Sequence, residues 1–127
     1  MRYCVESSKS FAEVIFDLEP IVQRLGFVTL HHGDLSETPR IKGSELDEDA
    51  AYFDVINYAL AEKLLQRDIA LALTLPWRIS VYTDEGATRI SILQPTRQLA
   101  ALNASPALSA LAGEIEARLV QIVDEVR

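Results

Sequence analysis

The sequence predicts an α+β fold of order β-α-β-β-α-β-β-α, a mainly antiparallel sheet with its helices packed on one face. Three observations predict it. A stripe of apolar residues at helical spacing follows Ser10. Two alternating segments flank the pair Glu85-Gly86. A long second helical stripe follows Ser105-Pro106.

The elements follow in order. Arg2 to Ser7 alternates, with Tyr3 and Val5 on one side and Cys4 on the other, and reads as a strand. Ser10 with Glu13 three positions on makes a capping box for the next helix. Phe11, Val14, Ile15, Leu18, Ile21, Val22 and Leu25 share one face of it. Pro20 falls opposite Phe11, so its ring and missing N–H point to solvent and the helix is expected to bend. Gly26 ends it as the residue past the C-cap. Phe27 to His32 is a second strand, and Gly33 to Asp49 is expected to be a long irregular, polar loop.

Tyr52 to Asn57 reads as the third strand and Tyr58 to Arg67 as a short helix burying Leu60 and Leu64. Leu71 to Leu75 is ambiguous: its alternation suits a strand. Trp77 to Thr83 and Ala87 to Leu93 form a hairpin. A short Leu/Ala-rich stretch follows Pro95. In the last helix Ser105 is the N-cap and Pro106 takes the first position, where a missing N–H costs nothing. Leu108, Leu111, Ala112, Ile115, Leu119, Ile122, Val123 and Val126 then step by three and four, and Glu114 is placed to pair with Arg118.

Composition bounds the function. A length of 127 residues suits one domain spanning residues 1–127, with a core that needs no metal or disulfide. Twelve basic against nineteen acidic residues, a formal charge of −7, weigh against nucleic acid and anionic membranes, whose affinity comes from Lys and Arg. The first ten residues hold no apolar signal-peptide core, and one cysteine suits a reducing compartment, so a cytoplasmic location is expected.

The segment Phe53 to Pro95 carries a resemblance. Asn57 opens a short helix, Leu75-Pro76 leads into a strand, Asp84-Glu85-Gly86 turns the hairpin and Pro95 ends its second strand. This order, with the Gly26-Phe27 step, resembles the uncharacterised domain-of-unknown-function family 302 (DUF 302). Tyr58 stands where that family shows proline, and Leu35 to Ala50 matches nothing in its pattern. The resemblance implies a small α+β domain, often dimeric, and no reaction. The strand before Pro76 becomes a loop or helical turn on that reading.

Few residues offer chemistry. Cys4 is the only thiol; it is read either as a small buried hydrophobe or as a nucleophile or sulfur carrier partnered by His31 or His32. Adjacent strand residues face opposite ways, so the two histidines cannot serve one site without a kink. No metal site or cofactor is expected. The run Glu45, Asp47, Glu48, Asp49 lacks the spacing of a calcium loop, and Arg40 with Lys42 is a weak anion patch. Asn57, Tyr58 and Trp77 are candidates for a ligand pocket between the short helix and Pro76, Asn57 reading equally as a plain N-cap. Trp77, Tyr82 and an open strand edge are candidates for a subunit contact. The expected function is a non-catalytic homodimer that binds a small apolar or amphipathic molecule or a protein partner. The alternative is a cysteine-dependent enzyme or sulfur-handling protein.

Overall fold

A computed structural model describes residues 1–127. Strand β1 (Arg2–Ser7) leads to helix α1 (Phe11–Arg24), then β2 (Val28–Asp34), and a 3₁₀ turn (Leu35–Glu37) precedes the short α2 (Pro39–Lys42). β3 (Ala50–Ile56), α3 (Tyr58–Arg67) and a second 3₁₀ segment (Ile69–Thr74) come next. β4 (Trp77–Asp84), β5 (Ala87–Leu93), α4 (Pro95–Ala100) and α5 (Pro106–Val126) complete the chain. The five strands lie in the order β1-β5-β4-β3-β2, every pair antiparallel. The α+β architecture expected from the alternating and helical periods is the one observed.

One face of the sheet forms the core. Val5 lies opposite Ile90, Ile92 opposite Ile79, Ile79 opposite Phe53 and Val55 opposite Trp77. Val14, Leu18 and Val22 of α1, with Ile115, Leu119 and Ile122 of α5, close over them and are fully buried. α1 keeps its capping box: Ser10 Oγ accepts from Glu13 N at 3.2 Å and Glu13 Oε1 from Ser10 N at 3.3 Å. Pro20 lies within it on the exposed side. Glu85 and Gly86 both take positive φ, 50° and 87°, the left-handed pair that a two-residue hairpin turn requires.

Several expectations are corrected. The stretch Gly33 to Asp49 is not wholly irregular: β2 runs on to Asp34, and the two short turns follow, the first capped by Asp34 through Ser36 N at 3.1 Å. Of the two readings left open for Leu71 to Leu75 the strand fails and the helical turn holds: Asp68 caps a 3₁₀ segment whose apolar anchor is Leu71. Glu114 does not hold Arg118. That guanidinium reaches across to α1 and donates to Leu25 O at 3.1 Å, taking up a carbonyl left free at the helix end. Trp77 and Thr88 share the parity of the core row, so both are buried beneath the helices. Trp77 meets Phe27 edge-on at 6.1 Å between ring centroids and cannot serve as an exposed subunit contact.

Candidate functional site: the helix-free face of the sheet

The strands' other side chains form a face that no helix covers. Cross-strand pairing aligns them in rows. One row runs Cys4, Ser91, Ser80, Tyr52, Gly33 across all five strands. A neighbouring row holds Arg78, Asp54 and His31 and is flanked by Arg2 and Leu93; another holds Glu6, Arg89 and Tyr82. Apart from Tyr52, small side chains thus sit along the middle and long ones stand on either side.

Polar contacts knit this face together. Ser80 Oγ lies 3.0 Å from Ser91 Oγ. Arg78 donates from Nε and Nη2 to the two carboxylate oxygens of Asp54, at 2.8 and 3.1 Å, a bidentate pair that fixes both side chains. Asp54 raises the Arg78 pKa further above its ordinary value, mainly through that hydrogen bond. The Arg78 guanidinium also lies 4.0 Å above the Tyr52 ring centroid, and His31 tilts against the same ring at 5.4 Å. Tyr52 lies directly over Gly33: a Cβ there would sit 2.6 Å from the phenol ring, so only glycine leaves room. Arg89 lies between Glu6 at 3.6 Å and Asp84 at 3.9 Å.

Cys4 is half-buried on this face, its Sγ 3.6 Å from Tyr82 Oη. That hydrogen bond is the first cause holding the Tyr82 phenol above its ordinary pKa; burial adds to it, and Arg2 and Arg89 oppose it. Cys4 and His31 share the face but stand on the two outermost strands. Four inter-strand steps separate them, roughly 19 Å. His32 faces the other way and stacks on Phe53 with ring centroids 4.0 Å apart. A bulge at Leu30 shifts the register of β2, which places His31 opposite Asp54. One chain therefore brings neither histidine to Cys4. No group of three or more His, Cys, Asp and Glu side chains is arranged to hold a metal ion.

The other candidates are dispersed. Asn57 is committed to structure: its Oδ1 accepts from Leu60 N at 3.0 Å and its Nδ2 donates to Gly26 O at 3.1 Å, tying α3 to the end of α1. Tyr58 is 63% exposed and stands beside a groove along α3 lined by Ala61, Leu65 and Ile69. Near Pro76, Trp77 lines a cavity of about 80 Å³, well below the few hundred Å³ that small-molecule sites occupy. Arg40 and Lys42 stand on α2, Lys42 paired with Glu37 at 3.1 Å. Missed by the sequence reading is the Tyr52–Arg78–Asp54–His31 cluster, which only the register of three strands assembles.

Fold and site together define a small α+β domain whose antiparallel sheet is helix-clad on one side and polar on the other. Residues 3–126 match the family described as Domain of unknown function DUF302, and the chain belongs to that family. It is similar to an uncharacterized conserved DUF302 protein from Bacillus stearothermophilus, known from a crystal structure. The two superpose with a TM-score of 0.90 at 29% identity, over 99% of this chain and 98% of that one. No curated protein matches the chain. No helix is long and apolar enough to cross a membrane.

Proposed function

We propose that the protein acts in the cytoplasm as a non-catalytic homodimer, joined through the helix-free face of the sheet, that presents its helical surface to a further binding partner. The supporting observation is the charge balance of that face. It carries three arginines, Arg2, Arg78 and Arg89, against three carboxylates, Glu6, Asp54 and Asp84, in a chain of formal charge −7. The acidic excess therefore lies elsewhere, and two identical copies meeting here would not oppose a net like charge. A two-fold contact sets the same patch against itself, so interleaved charges of both signs supply their own complement. Leu93, 55% exposed, adds apolar area.

Light scattering coupled to gel filtration tests this reading. Wild type should elute at about twice the 14.1 kDa chain mass at micromolar concentration. Arg89→Glu leaves two cations against four carboxylates on the face and should yield monomer with an unchanged circular dichroism spectrum. A monomeric wild type overturns the proposal.

A further inference from the structure

The charges of the helix-free face are balanced in number but not in place. Toward one end of the strands lie Arg2 and Arg78 with a single carboxylate, Asp54. Toward the hairpin end lie Glu6 and Asp84 with a single arginine, Arg89. Between them runs the row Cys4, Ser91, Ser80, Tyr52, Gly33, which holds no acidic or basic side chain. Asp54 holds Arg78, and Glu6 and Asp84 flank Arg89, so Arg2 is the one arginine of this face without an ion pair. Glu6 is its counterpart. It stands as far beyond Cys4 as Arg2 stands before it, and its one ion pair, to Arg89, is a loose 3.6 Å.

Neither edge of the sheet invites a second copy. Arg127 Nε donates to Glu6 O at 3.0 Å and Arg127 O accepts from Ser7 Oγ at 2.7 Å, so Arg127 covers part of β1. The other edge, β2, is interrupted by the bulge at Leu30. Covered and bulged edges resist pairing with another strand. On the face itself, a two-fold axis can run along the strands or across them. An axis along the central strand β4 lays each end of the face on its own copy and sets Arg78 against the partner's Arg78. An axis across the strands, along the uncharged row, exchanges the two ends. It sets Arg2 opposite the partner's Glu6 and Cys4 opposite the partner's Cys4.

We infer that two copies meet about this second axis, which crosses the strands along the row from Cys4 to Tyr52. Ends of opposite charge then face each other, and ends of like charge are held apart. Arg2 pairs with the partner's Glu6, and the pair occurs twice because a two-fold contact repeats itself. The row between the two pairs buries no charge. Tyr52, its one large side chain, leans across to Gly33 on the neighbouring strand and so does not prop the sheets apart. The arrangement rests on the dimer proposed above and fixes its geometry. Overall neutrality permits either axis; the separation of charge along the strands selects this one.

Cross-linking run to completion, beside light scattering for the dimer itself, tests the axis. A bismaleimide of about 8 Å reach should join Cys4 to the partner's Cys4 in wild type, since facing sheets pack about 10 Å apart. It should also join the thiols of Ser80→Cys in a Cys4→Ser background, because Ser80 lies on the same axis. Arg2→Glu should weaken dimerisation at least about tenfold by analytical ultracentrifugation, and adding Glu6→Arg should restore it to within about threefold. Arg2 and Glu6 are exposed, and unchanged thermal melts certify the fold of every variant. A dimer joined through the Ser80→Cys thiols but not through Cys4 overturns the inference and leaves the proposed dimer standing. It assigns the axis along β4, which keeps the two Cys4 residues four strand steps apart, roughly 19 Å. Joining through Cys4 alone assigns the contact to the β1 edge and overturns both readings, as does a wild type that is monomeric or joined through neither. A double variant that dimerises no better than Arg2→Glu overturns the exchange of charged ends.

Discussion

The two faces of the sheet are made by the same five strands, yet their side chains do opposite things. Toward the helices, Val5, Ile79, Val81, Ile90, Phe53 and Val55 are all but excluded from solvent. They interlock with α1 and α5, and their contribution is removal of apolar area from water. Toward the open side, Cys4 meets Tyr82 and Ser80 meets Ser91 through hydrogen bonds, while Arg78 pairs with Asp54 and lies over the Tyr52 ring. Exposed contacts of that kind add little to folding, about 0–1 kcal/mol each, because water competes for the same groups. Stability is therefore held on one face, which leaves the other free to change what it binds.

The sharpest way to break this contrast is truncation of neighbouring residues on the two faces. Ile79→Ala removes a fully buried side chain at the centre of the core row and should cost about 3 kcal/mol in urea unfolding. Ser80→Ala, its neighbour on the other face, should cost less than about 1 kcal/mol. Comparable losses would show that the open face is a second core. Next comes Gly33→Ala. Its Cβ collides with the far end of the Tyr52 ring, which has to swing away from Arg78 and His31. A loss of about 1 kcal/mol is expected, with altered tyrosine near-ultraviolet dichroism as the specific readout. An unchanged spectrum would mean the stack is unimportant to Tyr52.

Smaller effects sharpen the comparison further. If the open face is where two copies meet, iodoacetamide should alkylate Cys4 several-fold more slowly in wild type than in the Arg89→Glu monomer, as judged by mass spectrometry. Equal rates would place Cys4 outside the contact. The smallest effect is at high pH. Tyr3 donates to Asp124 Oδ1 at 2.6 Å, a hydrogen bond that raises its phenol above its ordinary pKa of about 10, with burial adding to it. The folded state thus holds that proton more tightly than the unfolded chain. The resulting stabilisation is complete below about pH 10 and is lost as pH rises through the folded pKa. Tyr3→Phe should lower stability at pH 8 and converge on wild type above pH 10; a constant difference in melts across that range would rule the linkage out.

Much of the fold was legible because its signals are local. Ser10 and Glu13 are three residues apart, Glu85-Gly86 announces its own turn, and the stripe from Leu108 to Val126 needs only a helical period. Trp77 was misjudged although its parity with Ile79 and Val81 already pointed inward. Of the site candidates, Asn57 was legible as a cap, but its second bond to Gly26 was not, since that joins residues 31 apart.

What the sequence determined by itself was the five strands, the three longer helices, their order and, outside the bulge at Leu30, the alternation along each strand. Those follow from periods of 2 and 3.6 residues and from caps and turns that act over a few positions. Only the tertiary structure decided which residues became neighbours. It set Cys4 and His31 on opposite edges of one face, aligned Asp54 with both Arg78 and His31, and slid Tyr52 over Gly33. It also carried Arg118 to the end of α1. Those outcomes depend on register and on one bulge at Leu30, set by how whole strands pack rather than by any short run of residues.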